Sequence, residues 1–453
     1  MAHSSDRGTA AAEDSGLHIL ALAERDWTHP QGGGAGENLW QHTSHWLDWG
    51  HRVTLVVSSY PGAVAYERHG NLTIHRVARW ATFFPRASWR CWRGLVPDAD
   101  VALEVINGVS FFTPVWMRTP RVTIIHHISR EQYVAEFGPK GRVPAWALET
   151  VPLRWVYRRS HFVTMSNASA DSIAAHGISR DRIRINNPGL DCTGLEPGDK
   201  SPEPTLLYLG RLKRYKRPEL ALDVVEAIPG ATLDIAGDGD CRAELEAAIE
   251  ARGLGDRVRV HGFVDEATKR RLLQRAWVHV MPSSIEGWAL TVVEAAACGT
   301  PTVAANNGGL RESVVHEHTG LLADDVAGLI AATRRLVDDP DLRRTMGENG
   351  VARARELSWE RHAKATLEEL QAARERSRAP AAGPRTAFGR RAVATGAVAA
   401  NLSMFVMAGL VSTTLTVGLA GAELVLAAAL VAMTLRRSQT ATATANPLRD
   451  TAA

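Results

Sequence analysis

The sequence predicts an α/β protein of two doubly wound domains in tandem, each a mainly parallel sheet covered by helices on both faces. Three observations carry this expectation. Short apolar runs of strand length alternate with longer helical stretches from residue 17 to about residue 376. The alternation breaks once, at the Pro-, Gly- and charge-rich GLEPGDKSPEP (194–204), and then restarts. The chain of 453 residues is also too long for one hydrophobic core.

In the first half, LHILAL (17–22) reads as a strand, followed by the glycine-rich turn PQGGGAGE and a helix through residue 49. GHRVTLVVS (50–58), VALEVIN (101–107), RVTIIHH (121–127) and HFVTMS (161–166) continue the series. After the linker come TLLYLG (205–210), ATLDIAG (231–237), VRVHGF (258–263), VHVMPS (278–283) and TPTVAA (300–305). The expected division is a disordered lead-in at 1–14, domains at 15–193 and 205–376, a hydrophobic helical hairpin at 390–437 and a disordered tail at 438–453. The lead-in is polar and lacks the apolar core of a signal peptide.

Composition narrows the function classes. The chain is 45% hydrophobic and 22% charged, as in ordinary globular proteins, and its net charge of +3 gives no argument for nucleic acid. The four cysteines show no C-x-x-C spacing, so neither a zinc site nor a disulfide framework is expected, and a reducing compartment is.

In doubly wound sheets ligands lie beyond the carboxyl ends of the strands, so the residues just after each strand are where chemistry is expected. LYLGRLKRYKRPELAL (207–222) places Arg211 and Lys216 there, a two-pronged phosphate donor beside a compact cation. The plain alternative is a solvated basic loop, since Lys213, Arg214 and Arg217 stand beside them. EGWALTVVEAAACGTPTVA (286–304) reads as a loop and then a helix stopped by Gly299 and Pro301. Free amides at that helix N-terminus, near Gly287, Trp288, Ala289 and Leu290, form an anion site. Glu286 stands at its mouth and Glu294 is expected about two turns inside. A carboxylate accepts from vicinal hydroxyls, so Glu294 suits a ribose and Glu286 a second sugar, with a diphosphate between them. The competing reading is a capping glutamate and an incidental helical one.

The same stretch resembles the E-x(7)-E region of retaining GT-B glycosyltransferases of the family 4 type (glycosyl transferases group 1). GRLKRYKRPELAL resembles that family's phosphate-binding loop, and IAGDGD, HGFV, GGLRE and HTGLL follow in the family's order. HPQGGGAGENLW, RVTIIHH and TMSNASADSI extend the likeness through the first half, to about residues 15–365 in all. The resemblance implies two Rossmann-like domains facing a cleft. It also implies that Glu294 holds the donor ribose, Glu286 the donor sugar, Arg211 and Lys216 the diphosphate, and the backbone of Gly262, Phe263 and Val264 the base. His126 corresponds to the histidine near the transferred sugar, and His127 stands where the family often has Asp, which leaves open which imidazole reaches the sugar. Gly33 and Gly34, in a run one residue longer than the usual form, correspond to the turn facing the donor phosphates. No metal or other cofactor is expected, because cations and a helix end supply the positive charge; DAD (98–100) and DGD (238–240) are not read as metal ligands. Same-face attack, with the leaving phosphate taking the acceptor's proton, is implied by the resemblance. A nucleotide-sugar epimerase of the same fold and a degenerate sugar-binding subunit are the alternatives.

Two features bear on the acceptor. RWATFFPRASWRCWRG (79–94) interleaves four arginines with aromatic rings, a pattern for a membrane surface or for a helix packed on the sheet. From 392 to 435 the sole formal charge is Glu423, and 392–411 and 417–435 are each long enough to cross a bilayer. Arg390-Arg391 and Arg436-Arg437 flank the pair, which predicts a hairpin with both ends cytoplasmic; a soluble helical hairpin is the alternative. The expected location is the cytoplasmic side of the cell membrane, and the expected acceptor a glycan or lipid-linked precursor.

Overall fold

The computed structural model describes residues 16–378. The expected lead-in, hydrophobic hairpin and tail lie outside the described residues, and among those described no helix is long and apolar enough to cross a membrane.

The first sheet holds β1 (His18–Leu22), β2 (Arg52–Val57), β3 (Tyr66–His69), β4 (Leu72–Arg76), β5 (Val101–Ile106), β6 (Arg121–Ile125), β7 (Phe162–Thr164) and β8 (Ile183–Ile185). Their order is β3-β4-β2-β1-β5-β6-β7-β8, parallel throughout but for the β3–β4 pair. The second sheet holds β9 (Thr205–Leu209), β10 (Thr232–Ala236), β11 (Val258–Gly262), β12 (Val278–Met281), β13 (Thr302–Ala305) and β14 (Gly320–Ala323). Its order is β11-β10-β9-β12-β13-β14, all parallel. Strand order therefore reverses between β1 and β5 and between β9 and β12, the two points where a doubly wound sheet opens a crevice at its carboxyl edge.

The central strands are apolar on both sides because both faces are covered. In β1, Ile19 and Ala21 pack with Leu39 and Trp46, whereas Leu20 and Leu22 pack with Phe83 and Phe84. In β9, Leu206 and Tyr208 join one cluster and Leu207 and Leu209 the other. Every side chain of either strand is buried.

One expectation needs correction, and one open alternative is decided. The sequence pattern runs the second domain to 376, but the Trp359–Arg378 helix crosses back and puts Leu367, Leu370 and Ala373 into the first domain's core. His42 and Thr366 bond side chain to side chain at 2.8 Å, and Asn186 Nδ2 donates to the His362 carbonyl at 2.8 Å. The 79–94 segment forms a helix at Trp80–Trp92 with Phe83, Phe84 and Ala87 buried against the sheet, so its phenylalanines serve packing.

Candidate active site

The loops following β9 and β12, neighbours at the second reversal point, are stitched together. Ser284 donates to the Tyr215 carbonyl through its amide at 2.7 Å and its hydroxyl at 2.9 Å. Arg217, held left-handed at φ 48°, donates from Nε to the Pro282 carbonyl at 2.7 Å. These ties put Lys216 beside Glu286, Nζ to Oε1 2.6 Å, with both side chains largely buried. Arg211 donates to the Tyr215 hydroxyl at 2.9 Å. An ammonium and a guanidinium thus flank one carboxylate at the carboxyl edge of the sheet.

The helix that follows runs Leu290–Ala297 and begins from Ala289 in the left-handed region, φ 68°. The Val292 amide bonds back to the Ala289 carbonyl at 3.1 Å, and the amides at the start of the helix need partners from outside it. Thr291, buried at its hydroxyl and without a hydrogen-bond partner among the described residues, adds a donor in the first turn. Glu294 lies one turn inside rather than two, because the helix starts at Leu290. Its carboxylate accepts from Lys269 Nζ at 2.8 Å. At Trp288 the expectation concerns the backbone amide. The ring is buried among Met165, Leu190, Val293 and Leu357, so only the backbone at that position can face a donor.

From the first domain, Gly33 opens a helix with φ 54°, and a side chain at Gly34 would come within 3.5 Å of Leu290 Cδ1. The glycine run therefore faces the anion-binding helix end. Gly287 packs on the loop after β6, where a Cβ would stand 2.5 Å from the His126 carbonyl oxygen and 3.6 Å from His127 Cβ. The carboxyl edges of the two sheets meet at this contact.

The two imidazoles have different neighbours. His126 is buried, its pKa pushed to about 3 by burial and then by His127 and His362. Neither of its ring nitrogens is hydrogen-bonded among the described residues. His127 is also held below the usual histidine range, by burial first; its charged neighbours are Glu286, Lys216 and Arg211. Of the two imidazoles between which the sequence leaves the choice open, His127 is the one with Lys216 and Arg211 as charged neighbours. Both rings are neutral at pH 7, so each can donate or accept a hydrogen bond without adding charge.

Gly262, φ 67°, ends β11; Phe263 follows with 87% of its surface exposed, and Val264 packs towards Ala295. Glu24, just past β1, is buried and its pKa raised by burial, with Arg25 and Arg211 opposing. Glu24 and Lys269 are not legible in sequence, because each lies in a segment with no residue pattern pointing to the cleft, and Thr291 lies within the E-x(7)-E stretch without a signal of its own.

Two doubly wound domains meeting at their strand carboxyl edges, with cations and a helix N-terminus on one wall, define the GT-B class. The Glycosyltransferase Family 4 model matches residues 32–193 and the Glycosyl transferases group 1 model residues 196–353. The chain belongs to the glycosyltransferases of the family 4 type. It is 31% identical over 245 residues to a D-inositol 3-phosphate glycosyltransferase of Arthrobacter sp., across 49% of this chain and 58% of that one. It is 33% identical over 240 residues to a glycogen synthase of Mycobacterium tuberculosis, across 50% and 58%. The chain thus spans little more than half the length of these curated relatives. Sucrose-phosphate synthase from Thermosynechococcus elongatus shares the fold with TM-score 0.67 at 21% identity, over 78% of this chain and 98% of that one. Anabaena HepE in complex with UDP-glucose does so with TM-score 0.62 at 17% identity, over 79% and 100%.

Proposed function

We propose that the protein is a retaining glycosyltransferase that moves a sugar from a nucleotide-sugar donor to a lipid-linked or cell-surface glycan precursor at the cytoplasmic membrane face. The observation that carries the donor side is the convergence of Arg211, Lys216 and the Leu290–Ala297 helix N-terminus at the β9/β12 reversal point. Breaking the sugar–phosphate bond builds negative charge on the departing diphosphate, which these groups would meet. Lys216 leaves Glu286 for the phosphate, which frees the Glu286 carboxylate to accept from donor-sugar hydroxyls. Glu294, steadied by Lys269, accepts from the ribose, and the Gly262–Val264 segment meets the base.

His127, neutral and beside Glu286, hydrogen-bonds the transferred sugar from the first-domain side. No carboxylate is placed as a nucleophile, which favours same-face attack with the leaving phosphate taking the acceptor's proton. No metal has a role in this scheme, since side-chain cations and amides meet the diphosphate. The acceptor reading rests on the sequence at 392–435, whose sole formal charge is Glu423 and whose flanks are paired arginines. Cytosolic nucleotide sugars would meet a lipid-linked acceptor at that face.

The test is slow hydrolysis of UDP-, GDP-, TDP- and ADP-sugars, with UDP-glucose first because a similar fold binds it in Anabaena HepE. Turnover of one donor, with the anomeric configuration kept in the NMR spectrum of the transfer product, is expected. No turnover of any donor by folded protein, or an inverted product, sinks the reading.

A further inference from the structure

The helical segment from Arg142 to Val156 in the first domain is wound more widely than an α-helix. Val151 N–H bonds to the Trp146 carbonyl and Tyr157 N–H to the Pro152 carbonyl, both five residues back. Pro152 supplies no amide of its own, so the ordinary four-residue ladder cannot pass through it. The winding has a consequence for burial. Residues 144–145, 148–149, 152–153 and 157 turn inward, a repeat of about four, and the positions between them form one outward stripe. Trp146 and Trp155 would fall on opposite faces of an ideal helix, being two and a half turns apart at 3.6 residues per turn. Here both lie on the stripe, 61% and 69% exposed.

The inward face is firmly held. Leu148 joins the cluster of Phe83 and Phe84, Leu153 and Tyr157 join the cluster beneath β6 and β7, and Glu149 accepts from the Ser129 amide at 2.7 Å. The stripe is therefore a fixed surface and not a loose loop. Two exposed tryptophans, with Val143 also 53% exposed, leave more apolar area in water than scattered surface residues do. Around them stand Lys140, Arg142, Arg154, Arg158 and Arg159, all exposed and without an ion-pair partner among the described residues. The sole acid between 138 and 160 is Glu149, which faces inward.

Charge decides between occupants. A second copy docking face to face would bring five cations against five, which disfavours an isologous pair. An anionic lipid surface meets every one of them with opposite charge. Tryptophan suits the same layer, with an apolar body and one N–H for the wet side. The chain's path agrees. The final described helix packs on the first domain and anchors Arg374 to Asp100 at 2.8 Å. Arg376, near that helix's end, is close enough for its charge to act on His161, two residues beyond Arg159. The described chain thus ends near the part of the first domain that carries Arg159.

We infer that the outward face of residues 142–159 docks on an anionic lipid surface, with Trp146 and Trp155 at headgroup depth and the arginines on lipid phosphates. The face holds the first domain against the bilayer whether or not a donor is bound.

The test uses the full chain with vesicles of phosphatidylcholine alone or mixed with phosphatidylglycerol, read by flotation. The tail and its flanking arginines are the same in parent and variants, so the readout is the change in the ratio of anionic to neutral binding. W146S/W155S and R154Q/R158Q, both at exposed positions and expected to melt like the parent, should each lower that ratio at least tenfold. Bromine-bearing phosphatidylglycerol should quench indole emission in the parent and much less in W146S/W155S. A ratio unchanged in both variants, or a parent dimer that W146S/W155S converts to monomer, overturns the inference. Neither readout needs donor turnover, so its failure is separate from failure of the catalytic reading.

Discussion

The Glu312 carboxylate of the second domain caps the Asn167–Ala174 helix of the first. One oxygen accepts from the Asn167 amide and side chain at 2.9 Å each, and the other from the Ala168 amide at 3.0 Å. Ser166 covers the next amide, that of Ser169, at 3.1 Å. A negative charge thus sits on a helix N-terminus across the domain boundary. The contact belongs to a ring. Ser169 donates to the His126 carbonyl at 2.9 Å, Gly287 packs on that carbonyl, and Gly309, three residues before Glu312, donates to the Glu286 carbonyl at 2.7 Å. The Glu286 loop is therefore keyed to the first domain on two sides. Glu312→Ala is expected to lower kcat/KM for donor hydrolysis roughly tenfold, about 1.4 kcal/mol, with Glu312→Gln retaining more. Equal kinetics in the parent and Glu312→Ala would show that the cap does not govern closure.

Glu294→Ala and Arg211→Ala are expected to abolish donor binding or turnover while leaving the thermal melt intact, since the proposed function gives both side chains to the donor and neither belongs to a hydrophobic core cluster. Lys216→Ala removes a fixed charge aimed at the leaving diphosphate and should cost about 100-fold or more in kcat. Calorimetric titration with UDP beside a hydrolysis assay checks all three. Normal turnover in any of them contradicts its placement.

Turnover is expected to survive EDTA, because Arg211, Lys216 and the Leu290–Ala297 amides meet the diphosphate's charge. Loss on chelation that manganese or magnesium restores would require a metal in the scheme.

Legibility follows burial. β1, β5 and β9 are buried along their whole length, so unbroken apolar runs announce them. The edge strand β3 and its neighbour β4 carry YERH and LTIHR, too polar or too alternating to stand out in the sequence. Glu286 and Glu294 are visible because carboxylates in apolar company need partners. The partner Lys269 is not, since it lies 25 residues before Glu294 on a different helix. The Trp288 ring turns into the core between domains, a packing role that the stretch around it does not announce. The return of the Trp359–Arg378 helix to the first domain is a tertiary event that chain order hides.

Acid should destabilise the fold through its buried histidines. Burial holds His126 and His279 at about 3 and His362 at about 4. The unfolded chain binds protons at these sites near pH 6.5 and the native chain does not. Their contribution is complete above the ordinary histidine range and is lost as pH falls from about 6.5 towards 3. Each net proton is worth about 1.4 kcal/mol per pH unit. The urea midpoint is expected to be clearly lower at pH 5 than at pH 7.5; an equal or higher midpoint would contradict the buried-neutral assignment.

Glu149 works in the opposite sense and can be separated from the histidines. Burial raises its carboxyl to about 7, against its accepted bonds from Ser129 and Arg130, and its Oε2 has no partner among the described residues. The native state therefore keeps a proton that the unfolded chain has already released above its ordinary value of 4.5. Stability from this group is complete below that value and is lost as pH rises through about 7, a cost of about 3 kcal/mol at most on the alkaline side. A glutamine side chain at this position would keep the shape and the bond from the Ser129 amide without ever ionising. Glu149→Gln should therefore match the parent closely at pH 5 and gain on it steadily to pH 8, while the histidine-driven fall below pH 6 stays the same in both. Urea midpoints across that range make the check. A constant offset between the two proteins would mean that Glu149 stays charged, or stays neutral, throughout the range.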